Sequence, residues 1–223
     1  MNDDILKQIR IDDFIDSFSI DEAEYLTELK TYAKNNDVPI IRDRTIEFLR
    51  MIINIKKPKN ILEIGTAIGF SALVMKKELN DVHIDTIEDY EKRIVLAKEN
   101  FNKYCLDDNI KLYPGDATEY LEKWISDGSK EKYDFVFLDA AKAQYIKWLP
   151  NIIILLKPDG ILLTDNVFKD GEIIEDKLTI EKRDRTIHKR MREFLYEITH
   201  NKNLKSYIYD IGDGISISIK KSY

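Results

Sequence analysis

The sequence has too little cysteine for a disulfide-rich secreted protein, and it has no apolar run long enough for a membrane-spanning helix. Cys105 is the single cysteine among 223 residues and cannot form an internal disulfide. The longest apolar run, Ile152–Leu156, is far shorter than the roughly 20 residues that a membrane-spanning helix needs. The first residues, Met1–Asp4, lack the basic and apolar regions of a signal peptide. We therefore expect a cytoplasmic protein without a membrane partner.

Basic residues are not in excess, and histidines are scarce. The chain has 35 lysines and arginines against 41 acids, a net charge of −6. This balance argues against general coating of nucleic acid but allows a local basic patch. The three histidines, His83, His188 and His200, have no partners at zinc-ligand spacing. A composition of 43% hydrophobic and 34% charged residues is typical of a globular protein.

Two common nucleotide-binding patterns, G-x-G-x-x-G and G-K-[ST], are also absent. The segment Asn60–Ser71 has instead a short apolar run that is broken by Gly65 and Gly69. This pattern predicts a buried strand, a tight turn and the start of a helix. Because glycine has no Cβ, a ligand can approach the backbone N–H groups of such a turn. A glycine pair also occurs in purely structural turns, so other residues must decide between the two interpretations.

Hydrophobic periodicity predicts a regular alternation of strands and helices from residue 60 onward. Before it, residues 1–36 are predicted as two helices with a capping box at Ser19–Glu22, and 42–55 as a helix that places Met51 in the core. The predicted strands are 60–64, 82–88, 109–113, 133–138, 160–164, 204–210 and 214–220. The predicted helices among them are 69–79, 90–104, 117–127, 142–156 and 180–200.

This order predicts an α/β fold in one domain over residues 1–223, with an N-terminal helical cap over 1–55 and a core over 56–223. Five strand–helix units imply a mostly parallel sheet with helices on both faces. The last two strands flank Ile211–Gly214, which has the composition of a hairpin turn. The seven-stranded sheet should therefore end in an antiparallel hairpin.

Acidic residues stand at the ends of four predicted strands. They are Glu88, Asp116, Asp139 and Asp165, the last followed by Asn166. In an open parallel sheet, ligands bind beyond the carboxyl ends of the strands. A single acid at such a position is an ordinary helix N-cap. Acids at four successive strand ends beside a glycine turn favour a binding site.

These segments resemble the metal-dependent class I S-adenosylmethionine-dependent O-methyltransferases, the group of catechol and caffeoyl-CoA O-methyltransferases. The resemblance runs from about Pro39 to the C-terminus and is carried by Glu63–Ser71, Glu88, Gly115–Ala117, Asp139–Lys142 and Asp165–Asn166. It implies a Rossmann-like methyltransferase sheet that uses S-adenosylmethionine and Mg²⁺. Related enzymes are often homodimers, so we expect a homodimer in which the N-terminal helices contribute to the interface.

The resemblance also implies which residues hold the methyl donor. Gly65 and Ser71 would lie near its amino-acid moiety, and Glu88 near the two ribose hydroxyls. The adenine would contact Asp116 and the backbone of Ala117. Two further positions are expected at the donor: Asp139, next to the metal, and Val38, in the segment that closes over the donor.

Asp139, Asp165 and Asn166 offer three oxygen ligands, a set that suits Mg²⁺ with open positions for water and substrate. Such a cation holds two adjacent substrate oxygens and lowers the pKa of the reacting hydroxyl. The resemblance assigns Lys142 the role of base or of electrostatic partner to the developing oxyanion, with Asp139 as the second catalytic residue. An exposed surface lysine and a turn asparagine are the structural alternatives for Lys142 and Asn166.

A narrower resemblance is to the bacterial tRNA 5-hydroxyuridine methyltransferases, which form 5-methoxyuridine at the tRNA wobble position. It is carried by Lys57–Ser71, Asp139–Tyr145, Thr164–Val167 and Ile211–Ser216. It implies the tRNA anticodon loop as partner. The O4 carbonyl and 5-hydroxyl of 5-hydroxyuridine are adjacent, as the two oxygens of a catechol are.

The basic run Lys182–Arg192, with six lysines and arginines and one acid, is the candidate phosphate-binding helix. Its predicted RNA contacts are Arg183, Arg185, Lys189, Arg190 and Arg192. A solvated helix face is the alternative. Phe168, Tyr145 and Trp148 are candidates for stacking on an unpaired base. All three could equally belong to the core, and for Trp148, inside a predicted helix, the core is the expected place.

Other functions stay open at this point. A small-molecule O-methyltransferase acting on catechols or related phenols would leave the basic helix without a role. A module that binds the nucleoside cofactor without chemistry is disfavoured by the presence of Asp139, Lys142, Asp165 and Asn166 together. A nicotinamide dehydrogenase is disfavoured because the third glycine of its fingerprint is missing.

Overall fold

Seven strands form one sheet in the computed structural model, which describes residues 3–18, 22–104 and 109–222. The strands are β1 (Asn60–Ile64), β2 (His83–Glu88), β3 (Ile110–Pro114), β4 (Tyr133–Leu138), β5 (Leu156–Thr164), β6 (Leu204–Tyr209) and β7 (Ile215–Lys220). Their order is β3-β2-β1-β4-β5-β7-β6. Strands β1 to β5 are parallel, and β7 pairs antiparallel with β5 and β6. The predicted sheet with its C-terminal hairpin is confirmed.

Three helices precede β1 in the described ranges, and the others connect the strands from β1 to β6. They are α1 (Asp3–Asp16), α2 (Glu24–Asn35), α3 (Asp43–Lys56), α4 (Phe70–Glu78), α5 (Glu91–Tyr104), α6 (Ala117–Ser126), α7 (Tyr145–Leu155) and α8 (Arg185–His200). A short 3₁₀ turn, Lys142–Gln144, precedes α7. No helix in this part of the chain combines the length and the apolar character that crossing a membrane would require.

Alternating side chains in the central strands explain why helices cover both faces. In β1, Ile61 belongs to the core that the sheet forms with helices α2 to α5, whereas Leu62 belongs to the core formed with α6 to α8. Both side chains are fully buried, as expected for a parallel sheet between two helical layers. Because α2 and α3 share a core with α4 and α5, these two helices of the predicted cap are part of the same packed layer.

Several predicted boundaries are corrected by the structure. Strand β5 begins at Leu156 instead of 160, because Leu156 pairs with Tyr133 before a bulge and Ile161 pairs with Phe135 after it. The predicted helix 142–156 starts as a 3₁₀ turn, and α8 begins at Arg185 instead of about 180. The core assignment of Met51 is wrong, since its side chain is 48% exposed on the outer side of α3. Ser19 of the predicted capping box lies outside the described residues.

Helix α1 and the residues after it present an apolar face to solvent. Its members, exposed between 41% and 69%, are Ile11, Phe14, Ile15 and Phe18. The outer side of α3 and the edge strand β6 also expose apolar side chains, namely Met51, Ile55, Tyr207 and Tyr209. These eight side chains together expose an apolar area on the order of 800 Å². One partner of a stable interface buries an area of about this size. Five aspartates against one lysine and one arginine in α1 disfavour an anionic membrane as the partner.

The homodimer therefore stays our prediction, with this apolar face packed on a second copy of the chain. Analytical ultracentrifugation at micromolar concentration should show a dimer, and F14S/F18S should shift it to monomer because both rings lose their apolar contacts. Val95→Ser, at an apolar side chain that is 46% exposed on α5, is the matched control and should stay dimeric. A monomeric wild type would contradict the prediction.

Candidate active site

A cavity of about 440 Å³ opens at the carboxyl ends of β1, β2, β3 and β4, a size typical of small-molecule sites. It lies where the strand order reverses between β1 and β4, the position at which open α/β sheets bind ligands. Most of the predicted site residues line it: Gly65, Ser71, Glu88, Asp116, Ala117, Asp139, Lys142 and Asn166. Val38 is not among the lining residues, but the following segment Pro39–Ile41 is.

Gly65 is required because the turn after β1 touches the end of β4. Its φ is +103°, and a Cβ at this position would lie 1.9 Å from the carbonyl oxygen of Asp139. The amide of Asp139 in turn donates to the carbonyl of Ile64 at 3.0 Å. Any side chain larger than hydrogen would push these two strand ends apart. The glycine turn thus brings the predicted donor-binding residues next to the predicted metal ligand.

Glu88 holds the other side of the glycine turn. Its carboxylate accepts hydrogen bonds from the backbone N–H of Ala67 at 2.8 Å and of Tyr90 at 3.0 Å. Each carboxylate oxygen can accept a further hydrogen bond. Glu88 is buried at the end of β2 and lines the cavity, so it can receive the paired hydroxyls of a ribose.

Asp116 is a helix N-cap and also lines the cavity. As the N-cap of α6, its carboxylate accepts from the backbone N–H of Thr118 at 2.6 Å. It also lines the cavity together with Ala117. Trp148 closes this end, and its indole N–H donates to the Thr118 hydroxyl at 3.0 Å. Trp148 is 5% exposed, which confirms it as a core residue.

A buried carboxyl group, Glu63, lies under the glycine turn. It accepts hydrogen bonds from the hydroxyls of Ser71 and Thr86. Burial raises the pKa of Glu63 to about 7, although these two hydrogen bonds act in the opposite direction. Ser71 lines the cavity while it donates to Glu63. The carboxyl therefore fixes one donor-site hydroxyl, a contact that the sequence did not reveal.

The predicted metal ligands come together at the ends of β4 and β5. The side-chain nitrogen of Asn166 lies 3.4 Å from Oδ1 of Asp139. Oδ1 of Asp165 accepts hydrogen bonds from the backbone N–H of Asn166 at 2.8 Å and from the Thr45 hydroxyl at 3.3 Å. Its other oxygen, Oδ2, is buried and has no hydrogen-bond partner. An unpaired buried carboxylate oxygen is costly, and a bound cation would satisfy it.

The electrostatics of this cluster also favour a cation. Burial, together with the nearby charge of Asp139, raises the pKa of Asp165 to about 7. Burial likewise raises the pKa of Asp139, against the charge of Lys142. No group of three histidine, cysteine, aspartate or glutamate side chains suited to a metal occurs within the described ranges. A cation here would therefore take the amide oxygen of Asn166 as its third protein ligand, once that side chain has turned.

Two residues of the site escaped the sequence interpretation, and a third, Tyr145, had been a candidate for base stacking. Arg93 lines the cavity and follows strand β2 by only a few residues, so the strand-end rule could have found it. Thr45 reaches Asp165 from α3, which no local pattern indicates. Tyr145 is fully buried and cannot stack on a base. Its hydroxyl instead contacts the backbone of Ala140.

Three of the five predicted RNA-contacting residues donate hydrogen bonds to backbone carbonyls, and the other two are exposed. Lys177, Arg185, Thr186, Lys189, Arg190 and Glu193 line a groove of about 420 Å³ beside α8. The side chains of Arg185, Arg190 and Arg192 donate to backbone carbonyls. Arg183 is 80% exposed and pairs with Glu181 and Asp184, whereas Lys189 is 67% exposed with only a long contact to Glu193.

Comparison with known proteins places this geometry in a family context. The sequence model of a family described as O-methyltransferase matches residues 16–221. A catechol O-methyltransferase of Niastella koreensis is 28% identical over 134 residues, 60% of each chain. The structure of a candidate caffeoyl-CoA O-methyltransferase from Staphylococcus aureus is 31% identical, covers 97% of this chain and 99% of its own, and has a TM-score of 0.82.

A further structure agrees in fold. The O-methyltransferase from Bacillus cereus in complex with SAH covers 95% of this chain and 97% of its own with a TM-score of 0.82. Its sequence identity of 24% supports the fold alone. The seven-stranded sheet with its antiparallel hairpin is thus the architecture that these neighbours share.

Burial of Glu63 predicts a specific pH dependence of stability. Because folding raises the pKa of Glu63 from 4.5 to about 7, the stabilisation that protonation supplies is complete below pH 4.5 and is lost as the pH rises through about 7. The loss amounts to about 3 kcal/mol. Urea unfolding of the wild type and of Glu63→Gln, without added metal, should show their stability difference changing by this amount between pH 4 and pH 8. A difference independent of pH would contradict the assignment.

Proposed function

The chain belongs to the O-methyltransferase family, and we propose that it transfers a methyl group from S-adenosylmethionine, with the help of Mg²⁺, to a hydroxyl that has a second oxygen beside it. The observation that carries the proposal is the buried, unpartnered Oδ2 of Asp165 next to Asp139 and Asn166. A divalent cation is the partner that this set of oxygens suits best.

The donor would occupy the cavity beside the glycine turn. Ser71 and Gly65 face its amino-acid moiety, Glu88 the ribose, and Asp116 with Ala117 the adenine, as the resemblance implies. These residues line one continuous cavity, which supports a single extended ligand.

The residues around the cluster define what the site would do. Asp139, Asp165 and Asn166 would hold the cation, which when bound fixes two adjacent substrate oxygens and lowers the pKa of the reacting hydroxyl. The hydroxyl oxygen forms a bond to the methyl carbon while the carbon–sulfur bond breaks, and the sulfonium becomes a neutral thioether. Lys142 lines the same cavity, where it would take the hydroxyl proton as base or supply positive charge to the oxyanion.

The finer proposal for the substrate is 5-hydroxyuridine at the tRNA wobble position. Its support is the basic groove, because Arg190 donates to the carbonyl of Ala143 at 3.0 Å and so places this groove beside Lys142. Four lysines and arginines against one acid line it, in a chain of net charge −6. A groove with this charge would attract RNA phosphates. Because a wobble base is already unpaired, little energy would be needed to bring it into the site.

A catechol or a related phenol is the second candidate substrate. It presents the same two adjacent oxygens, and the name of the Niastella koreensis relative supports it. The two candidates share the donor and metal chemistry. They differ in whether the groove beside α8 takes part.

The metal proposal predicts opposite effects of Asp165→Asn on activity and on stability. Turnover should fall about 100-fold or more, because one of two charged ligands is lost. Mn²⁺ binding followed by electron paramagnetic resonance should weaken in parallel, with donor affinity by calorimetry unchanged. Without metal at pH 8 the variant should be at least as stable as the wild type, since a buried unpaired charge is removed.

The matched control for this variant is Asp159→Asn. Asp159 is exposed in the β5 bulge with φ +58°, which asparagine tolerates. This variant should keep turnover and Mn²⁺ affinity. Full turnover of the wild type in excess chelator would refute the metal role.

The tRNA proposal predicts that charge reversal in the groove separates the two substrates. Lys177 and Lys189 are exposed members of the groove, so the double reversal K177E/K189E should lower tRNA methylation about tenfold or more at low salt. Methylation of free catechol should change much less. Nucleoside mass spectrometry of hypomodified tRNA measures the first rate. Lys147→Glu, at an exposed lysine on α7, is the control for a charge reversal outside the groove and should change neither rate. Equal losses of K177E/K189E on both substrates would count against an RNA-binding groove.

A further inference from the structure

The segment that carries Lys142 has little of its own to hold it. It runs from Asp139, at the end of β4, through Ala140 and Ala141 into the 3₁₀ turn. The two alanines have no polar side chains, and at most one short turn of regular structure supports the lysine. Groups from outside the segment must therefore define the position of Lys142.

Tyr145 holds the segment from below. Its hydroxyl accepts a hydrogen bond from the N–H of Ala140 at 2.9 Å and donates one to the carbonyl of the same residue at 3.2 Å. The side chain is fully buried, and its ring packs edge-on against Phe194 of α8 at 5.6 Å. Both backbone groups of one residue are thus fixed by a single rigid side chain.

Arg190 holds the segment from the side. Its guanidinium donates to the carbonyl of Ala143, the residue after Lys142, at 3.0 Å in a partly buried position. Hydrogen bonds from a charged donor are stronger than neutral ones. Helix α8, which carries both Arg190 and Phe194, therefore supports the Lys142 segment as well as lining the basic groove.

We propose that Tyr145 and Arg190 are positioning residues for the methyl-transfer reaction, which act by fixing the backbone on either side of Lys142. This inference rests on the proposed function, because it needs Lys142 to work at the reacting oxygen. A displacement of about 1 Å in such a group can slow a reaction by about 100-fold. Loss of one of two anchors should have a smaller effect, since the other remains.

The test uses Tyr145→Phe and Arg190→Gln in the full-length protein with free catechol as substrate, so that RNA binding does not enter. Each variant should lower kcat about tenfold and change the KM for catechol less than about twofold. Arg190→Lys should recover most of the rate, because lysine can also donate to the Ala143 carbonyl. Lys147→Gln removes an exposed positive charge nearby and should leave kcat unchanged.

Hydrogen exchange of the peptide that covers residues 139–146 provides a readout independent of catalysis. Its amides should exchange about fivefold or more faster in Tyr145→Phe, which loses two hydrogen bonds, and in Arg190→Gln, which loses one. Exchange elsewhere and donor affinity should match the wild type. Variants with wild-type exchange in this peptide would overturn the proposal, and so would faster exchange with an unchanged kcat.

The two levels of the account can fail separately. A wild type that methylates neither catechol nor tRNA would refute the proposed function and the catalytic part of this inference with it. Faster exchange in the variants would then still establish the anchoring of the segment. An active wild type whose Arg190→Gln variant loses only tRNA methylation would assign Arg190 to RNA contact and overturn its positioning role.

Discussion

Two neighbouring carboxylates, the buried Asp165 and the partly buried Asp139, form the constraint on which the rest of the site depends. Asp139 and Asp165 stand at the ends of neighbouring strands, and burial raises the pKa of both. Near neutral pH this arrangement is unfavourable unless a positive charge is bound between them. Two groups of the fold nevertheless donate hydrogen bonds to Asp165: the hydroxyl of Thr45 in α3 and the backbone N–H of Asn166. Our proposal of a cation at this site rests on this arrangement.

The surrounding architecture brings a second ligand to that cluster. A turn without side chains at Gly65 lets β1 and β4 end in contact, so the cavity of the donor and the acidic cluster share Asp139. A methyl donor and a chelated hydroxyl could thereby lie close enough to react. Neither the turn nor the cluster alone would suggest a reaction, and the proposed methyl transfer rests on their contact through Asp139.

Most of the fold and much of the site could be predicted because they follow from local patterns. Apolar runs of strand length and the glycine turn gave β1 and its neighbours within a residue or two. The rule that ligands meet the carboxyl ends of parallel strands then collected Glu88, Asp116 and Asp139 around one cavity. Met51 was assigned wrongly because an apolar residue on a helix does not show which side faces the core. The early start of β5 was missed because Pro158 and Asp159 resemble a loop and form a bulge instead.

Contacts between distant segments could not be predicted from one sequence. Thr45 contacts Asp165, which is 120 residues away in the sequence. Arg190 was predicted to contact RNA, but its guanidinium donates to a backbone carbonyl. Both depend on how α3 and α8 pack on the sheet. The basic run therefore contains arginines that contact backbone carbonyls, such as Arg190, and exposed cations that pair with acids, such as Arg183 and Lys189.

The most direct test of the cation site is an anomalous difference map from crystals grown with Mn²⁺ and S-adenosylhomocysteine. We predict one strong peak about 2.1 Å from oxygens of Asp139, Asp165 and Asn166, with open coordination positions towards the donor sulfur. A map without a peak at these residues, or with the three side chains turned away from a common point, would contradict the account.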